Sequence, residues 1–453
     1  MTGLPHLLLA YYGDDFTGST DVMEALTLNG LPTVLFLQPP TEEQRRAFAH
    51  CRAIGFAGIS RSKDPAWMDA HLPAIFAGMK ALNAPVSQYK VCSTFDSSPT
   101  VGSIGRALDI GRAVFGGQGC TPVLAGAPAL GRYTVFGNHF ATAAGQPHRL
   151  DRHPTMARHP VTPMAEADLR RHLAAQTAAT VALFDILALQ AGDADARFDA
   201  LLAGRPDAVL FDALDRASLA QTGRLIWERL AAPRFCVASS GLEYALVEHW
   251  RAAGLLPDAP SPSPSVPADR IMAVSGSCSP ATAEQIGWAL GHGFAGIRLD
   301  PARVVAAESR DQEIHAAVRA TAAALAAGAS PLVYTARGPD DPAVGAFDAF
   351  LARTALSRER ANEGVGRALG RILREVVLTT GLRRAVVAGG DTSGHVNGEL
   401  GAYALTVAAP LAPGAPLCAM HAADPRLRGL EIALKGGQMG QADFFGAVRR
   451  GGG

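Results

Sequence analysis

HLLLAYYGDDFTGSTD, His6 to Asp21, sets an apolar run against an acidic, hydroxyl-rich turn, and Val22, Ala25 and Leu26 continue beyond it at helical spacing. An apolar run, a short polar turn and a 3.6-residue period read as a strand, a loop and a helix, the opening unit of an α/β sheet. In open sheets of this kind ligands collect beyond the carboxyl ends of the strands. Asp14, Asp15, Thr17, Ser19 and Thr20 are therefore candidate site residues. A phosphate-binding turn would carry lysine or arginine here, whereas two adjacent carboxylates repel each other unless a cation or hydroxyls lie between them. Asp21 and Glu24 have the spacing of a capping box.

The pattern repeats along the chain. PTVLFL, AIGFAGIS, SQYKVCST, PVLAGAP, TVALFDI, AVLFDA and RFCVASS alternate with helical stretches such as Pro65 to Met79 and Ala165 to Ala175. LLPDAPSPSPSVPADR, Leu255 to Arg270, then breaks the composition with repeated prolines that favour extended chain. Beyond it RIMAVSGS, FAGIRL, PLVYTA, RAVVAGG, PLCAMHA and LEIALKGG restart the alternation, with a helical stretch at Asp311 to Ala327. At 453 residues the chain exceeds one ordinary core. The reading is two α/β domains with mainly parallel sheets: residues 1–254, a Pro/Ser-rich linker at 255–269, and residues 270–453. The terminal RRGGG is expected to fray.

Lys plus Arg and Asp plus Glu both number 41. The balance offers no electrostatic footprint for nucleic acid or an anionic membrane surface. The N-terminus lacks the basic segment and longer apolar segment of a signal peptide, and no apolar stretch approaches the ~20 residues of a membrane span. Six scattered cysteines have no zinc-ligand spacing and read as buried small hydrophobes in a reducing compartment. A cytoplasmic protein is expected. In RHPTMARHPVTPM, His153 and His159 each precede a proline and read as surface-turn residues rather than metal ligands.

Further loops after apolar runs carry chemistry. GISRSKD holds Arg61 and Lys63; arginine can grip a carboxylate with two parallel hydrogen bonds. YKVCSTFDSSPTVGSIG holds Lys90, Ser93, Asp96, Ser97 and Ser98, a set suited to a polyol. AGAPALGR ends on Arg132, and SSGLEY, Ser239 to Tyr244, reads equally as structure or as site. In the second domain VSGSCS (Val274 to Ser279), AGGDTSGHV (Ala388 to Val396) and LKGGQMG (Leu434 to Gly440) are small-residue turns. Successive N–H groups in such turns form anion-binding concavities. Three in one domain favour a nucleotide or phosphate site, although no G-x-x-x-x-G-K-[ST] and no strict GxGxxG unit occurs.

Taken in order, from GDDFTGSTD to LKGGQMGQADFF, these segments resemble the four-carbon acid sugar kinase family, and YKVCSTFDSSPTVGSIG and RHPTMARHPVTPM are similar to the versions in 3-oxo-tetronate kinases. The resemblance implies an N-terminal domain that binds a sugar acid, a C-terminal domain that binds ATP, and an active site in the interdomain cleft. It implies ATP- and Mg²⁺-dependent phosphorylation of a hydroxyl, the terminal one favoured, on an acid such as a 3-oxo-tetronate, threonate or erythronate. Asp14, Asp15, Arg61, Asp96 and Arg132 stand at the family's N-terminal motif positions. Ser275, Ser277, Gly389, Gly390, Asp391, Thr392, Ser393, Gly394, Lys435 and Gly437 stand at its C-terminal ones.

On that basis Asp14, Asp15 and Asp96 are the candidate catalytic acids, one of them the proton acceptor. Arg61, Lys90, Ser93, Ser97 and Arg132 are the candidate substrate contacts, with Arg61 leading for the carboxylate. The family commonly has Glu at the position of Asp391, Asn at that of Ser103, and an SGN-type run at Gly436, Gly437 and Gln438. Metal ligands and self-association are left open. The rival readings are a non-catalytic sensor of sugar acid and nucleotide, and a phosphatase with a DxD turn. Phe16 after the aspartate pair breaks the latter motif.

Overall fold

The computed structural model describes residues 6–116, 119–143, 145–159, 161–259 and 263–452. Outside these lie residues 1–5 of the N-terminal segment, Pro160 of RHPTMARHPVTPM, Pro260 to Pro262 of the Pro/Ser segment, and Gly453. The chain divides into two compact units, Met1–Leu35 with Thr41–Pro260, and Phe36–Pro40 with Ser261–Gly453.

The first unit is built on strands β1 (Leu9–Gly13), β2 (Thr33–Phe36), β3 (Ala53–Ala57), β4 (Val86–Lys90) and β5 (Thr121–Leu124). After a small antiparallel sheet of β6 (Arg132–Val135), β7 (Asn138–Ala143) and β8 (Gln146–Arg149), the main sheet resumes with β9 (Val181–Phe184), β10 (Ala208–Phe211) and β11 (Arg234–Ala238). Its order is β2-β3-β1-β4-β11-β5-β10-β9. The pairs around β1, β4, β5, β10 and β11 are parallel. Every residue of β1 and β4 is buried, as expected for strands covered on both faces. Phe76, Phe115 and Phe235 fill one face, the Phe235 ring lying 5.1 and 5.0 Å from its neighbours.

The second unit contains β12 (Met272–Ser275), β13 (Phe294–Arg298), β14 (Ser330–Tyr334), β15 (Arg384–Ala388), β16 (Ala402–Ala412), β17 (Ala415–Ala422) and β18 (Glu431–Lys435). Its order is β13-β14-β12-β15-β18-β17-β16. The first five strands run parallel, while β17 is antiparallel to both neighbours. Ile286, Phe294, Leu332, Val386, Leu417 and Phe445 lie in its core.

Each apolar run read as a strand is one, but β6 to β8 and β16 were not read from sequence. The first group is too polar, and AYALTVAAPLA too rich in alanine, to carry a strand signal. The helices expected near Pro65, Ala165 and Asp311 span Pro65–Ala81, Leu169–Ala174 and Arg310–Ala326.

Four expectations fail. The first helix spans Phe16–Leu28 with Asp15 as its cap, so Asp21 and Glu24 lie inside it and make no capping box. As far as Gly452 the terminal RRGGG is held rather than frayed, since Gly451 donates to Val448 O and accepts from Ser265 N at 2.8 Å; Gly453 lies outside the described residues. His153 is buried, its Nδ1 accepting from Thr155 N and Met156 N; the imidazole caps a turn from inside rather than facing solvent. All six cysteines are free thiols, but Cys278 is exposed and Cys92 half-buried.

Candidate active site: two strand-end clusters

In each unit the strand first in the chain sits at the point where the order reverses. In the first unit the chain leaves β1 for β2 and β3 on one side, then crosses to β4 on the other. The crevice at such a reversal is the expected ligand position, and the loops flanking it start at Asp14 and Val91. Asp14 N donates to Lys90 O at 2.9 Å, which ties the two strand ends together.

Asp15 is extended at its φ of −140° and caps the Phe16–Leu28 helix, Oδ1 accepting from Gly18 N at 2.7 Å. Arg61, in the turn after β3, donates through Nε and Nη2 to both oxygens of Asp14 at 3.1 and 2.6 Å, and through Nη1 to Asp15 Oδ2 at 2.7 Å. The cation that adjacent carboxylates require is therefore Arg61, held in place by its own N–H on Asp14 O. Its guanidinium is engaged by the two carboxylates in this structure.

Lys90 is fully buried, with Nζ 3.4 Å from Asp21 Oδ2 and 3.0 Å from Val91 O. A Cβ at Gly18 would lie 3.2 Å from Lys90 Nζ and 3.5 Å from Arg61 Nη2, so both cations converge on this bare turn. Burial raises the Asp14 carboxyl to about 6, against the pull of Arg61. Asp96 is also buried, but the charge of Arg61 and hydrogen bonds from Thr94 and Cys92 outweigh burial and hold it below the usual range.

The remaining candidates differ. Ser97 is committed inside the fold, its Oγ meeting His172 Nε2 at 2.8 Å and Gln176 Nε2 at 2.9 Å. Ser93 O accepts from His139 Nε2 at 2.7 Å, and burial keeps that imidazole neutral by lowering it to about 4. His139 lies on β7, so the small antiparallel sheet reaches the β4 loop. Arg132 opens β6, donates from Nη1 to Leu130 O at 2.6 Å, and leaves a buried Nε without a partner. Among the described residues it has no carboxylate partner.

SSGLEY also belongs to this edge, because β11 pairs with β4. Glu243, fully buried, accepts from Gln88 Nε2 at 3.4 Å through Oε2, while its Oε1 has no partner. Burial raises it to about 8 despite nearby Lys90. The sequence reading marked its segment, SSGLEY, but did not single out the carboxyl within it.

In the second unit Ser275, Ala388 and Lys435 end three neighbouring parallel strands in register. The order reverses between β12 and β15. The helices Pro280–Leu290 and Gly390–Leu400 begin there, so their free N–H groups and positive ends meet at one edge. Gly389 has φ +126°, and a Cβ there would lie 2.7 Å from Thr392 Oγ1. Glycine is required on both counts.

Lys435 is fully buried. Its Nζ donates to Thr282 Oγ1 at 3.0 Å and lies 3.5 Å from Gly437 O, and no carboxylate pairs with it among the described residues. Burial alone lowers it to about 8. Ser277 Oγ sits 3.0 Å from Thr282 Oγ1, Ser279 Oγ donates to Gly437 O, and Ser275 Oγ is buried without a partner. This cluster gathers Ser275, Ser277, Gly389, Gly390, Thr392, Lys435 and Gly437, and adds Ser279 and Thr282, which sequence reading missed. Their S-x-x-T spacing is that of an ordinary helix cap, and Ser279 does cap the helix, its Oγ accepting from Thr282 N at 3.2 Å.

Asp391 is exposed in the first helical turn. Ser393 turns inward, its Oγ on Gly389 O at 2.8 Å, and Gly394 lies exposed a turn further along. Among the described residues no group of three or more His, Cys, Asp or Glu could hold a metal ion. No helix of the described residues is long and apolar enough to cross a membrane.

Residues 9–246 match a sugar-binding N-terminal domain and residues 272–445 a nucleotide-binding C-terminal domain. The chain is 54% identical to a 3-oxo-isoapionate kinase of Paraburkholderia graminis over 98% of its own length and 94% of the relative's. It is 34% identical to a 3-oxo-tetronate kinase of Methylobacterium radiotolerans, covering 97% and 98%. A solved Salmonella typhimurium structure, described as a candidate tRNA synthase, superposes with a TM-score of 0.74 at 26% identity, covering 97% of this chain and 98% of that one. A Haemophilus influenzae structure shares the fold at 0.72 and 24%, covering 97% and 98%. With a family match across both units and kinases among its full-length relatives, the chain belongs to the four-carbon acid sugar kinase family.

Proposed function

We propose that this protein transfers the γ-phosphoryl group of ATP to a hydroxyl of a short 3-oxo sugar acid, with 3-oxo-isoapionate the first candidate and 3-oxo-tetronates the second. The observation that carries the reading is Lys435, a buried ammonium beside hydroxyls and helix N-termini with no carboxylate partner among the described residues. A buried charge without a counter-charge is costly, and a polyphosphate supplies one. The 54% relative supports the substrate choice.

Phosphoryl transfer demands positioning and charge neutralisation more than covalent help. Asp14 accepts the proton of the attacking hydroxyl as the new P–O bond forms and the bond to ADP breaks; its carboxyl at about 6 is matched to that role near neutral pH. Asp15 and Asp96 hold neighbouring hydroxyls, Lys90 supplies positive charge beside them, and Arg132 takes the substrate carboxylate. Ser275, Ser277, Thr392 and the backbone of Gly389, Gly390 and Gly437 cradle the phosphates with Lys435. Mg²⁺ neutralises phosphate charge when bound; Asp391, one exposed acid at this edge, suits a metal held mostly by phosphate and water.

The test is ADP release with Mg-ATP across 3-oxo-isoapionate, 3-oxo-tetronates, threonate and erythronate, with the product's mass checked. Stimulation by the oxo acids over threonate and erythronate is expected. No stimulation by any of them would overturn the reading.

A further inference from the structure

Four non-glycine residues among those described have a positive φ: Asn83 at +60°, Phe95 at +56°, Phe136 at +52° and Arg205 at +53°. Three of them lie exposed, whereas Phe95 is fully buried. A bulky side chain in the left-handed region crowds its own backbone, and such a residue persists only where its surroundings over-determine it. Phe95 N donates to Cys92 O at 3.0 Å, closing a turn over Ser93 and Thr94 at the end of β4. Glycine would take the left-handed step that follows at no steric cost. The chain instead places an aromatic ring there.

The surroundings hold both ends of this residue. Its ring lies in the core with Ile104, Leu169 and Leu173 and meets His172 edge-on, the centroids 6.2 Å apart. Its carbonyl accepts from Ser97 Oγ at 3.1 Å, and that hydroxyl is itself bonded by Gln176 Nε2 at 2.9 Å. What the turn presents is Asp96. Residues two apart in extended chain stand roughly 7 Å apart, and the left-handed step turns the side chains flanking Phe95 toward each other. Thr94 Oγ1 donates to Asp96 Oδ1 at 2.6 Å. With its one hydrogen given to a carboxylate that can only accept, Thr94 Oγ1 accepts from the Cys92 thiol at 2.9 Å. Burial pushes that thiol up to about 11, so it keeps the proton it donates.

We propose that Phe95 is a positioning residue for Asp96: its ring, locked in the core, holds the β4 loop in a left-handed turn that sets the carboxylate as a preformed acceptor for a substrate hydroxyl. The inference rests on the sugar-acid reading of the β1 and β4 strand ends and adds what fixes one of the groups there. It accounts for a buried aromatic at a position that favours glycine, because a ring anchored in the core fixes the turn where a glycine would leave it free. Thr94 completes the device by holding one oxygen of Asp96 and leaving the other side of the carboxylate to the ligand.

The experiment is steady-state kinetics of the full chain with Mg-ATP and 3-oxo-isoapionate, each variant checked by thermal unfolding. Phe95→Gly loses the ring but accepts the left-handed step, whereas Phe95→Ala loses the ring and keeps the strain. If the turn sets Asp96, KM for the sugar acid should be at least about fivefold lower in the glycine variant than in the alanine variant, with KM for ATP alike in both. A core-filling role predicts no such gap, since both variants leave nearly the same cavity. Thr94→Val, which keeps the shape and removes the donor, should raise KM for the sugar acid about tenfold with KM for ATP unchanged, and Thr94→Ser should restore it. It decides the matter if the Phe95 variants do not fold. Equal sugar-acid KM values in Phe95→Gly and Phe95→Ala, or a parental KM in Thr94→Val, overturns the proposal while the kinase reading stands. Absence of ATP-dependent product in the parent overturns the reading beneath it.

Discussion

The two strand-end clusters solve opposite electrostatic problems. At β1 the fold brings two carboxylates together and bridges them itself with the three donors of Arg61. At β18 it buries the Lys435 ammonium and, among the described residues, provides a hydroxyl and a carbonyl. The first cluster is internally hydrogen-bonded, so a sugar acid must compete for, or add to, bonds already made. The second lacks an anion among the described residues, and the proposed phosphate would supply one. Buried charges need partners; where the chain withholds a partner, the ligand is the expected source.

The largest effect that would break this contrast is at Lys435. Lys435→Met should raise the Kd for ATP by 100-fold or more while leaving the melting temperature unchanged or higher, because the parent keeps an uncompensated charge. A large fall in melting temperature would mean that Lys435 serves the fold.

Asp14→Asn should lower kcat by about 10²–10⁴, the usual worth of a positioned base, with ATP affinity intact. The parent's rate should rise with pH through about 6 as Asp14 loses its proton, and fall beyond about 8 as Lys435 loses its charge. The acid limb should vanish in Asp14→Asn; its persistence would move the base elsewhere.

A smaller change is expected at Arg132. Arg132→Lys keeps the charge but loses the planar fork, so KM for the sugar acid should rise about tenfold with kcat little altered. An unchanged KM would return the carboxylate to Arg61 or Lys90.

The smallest effect concerns Glu243. Its folded pKa of about 8 lies above the ordinary 4.5, so its stabilising contribution is complete below about 4.5 and is lost as pH rises through 8. Glu243→Gln should therefore melt increasingly above the parent from pH 5 to pH 8. A pH-independent difference would show that the carboxyl does not titrate there.

Much of this was legible in the chain. Apolar runs ending in polar turns marked the strands of both main sheets apart from β16, because a strand buried on both faces must be apolar throughout. Gly389, Lys435 and the acidic pair announced themselves by residue type, since few roles suit a glycine-rich turn or a carboxylate pair at a strand end. The strands β6 to β8 escaped because an antiparallel flap needs no continuous apolar run. Ser279 and Thr282 escaped because a capping hydroxyl and a ligand-facing hydroxyl have the same local spacing.

By itself, then, the sequence determined the alternation of strand and helix, the break near residue 260, and which residue types stand at the strand ends. Those follow from local periodicity and turn chemistry. Only the tertiary structure decided that Arg61 belongs to Asp14 and Asp15, that among the described residues Lys435 has a hydroxyl and no acid beside it, and that Arg132 keeps an unpaired Nε. Partner choice depends on strand order and register, which bring together residues tens to hundreds of positions apart and leave no trace in local spacing.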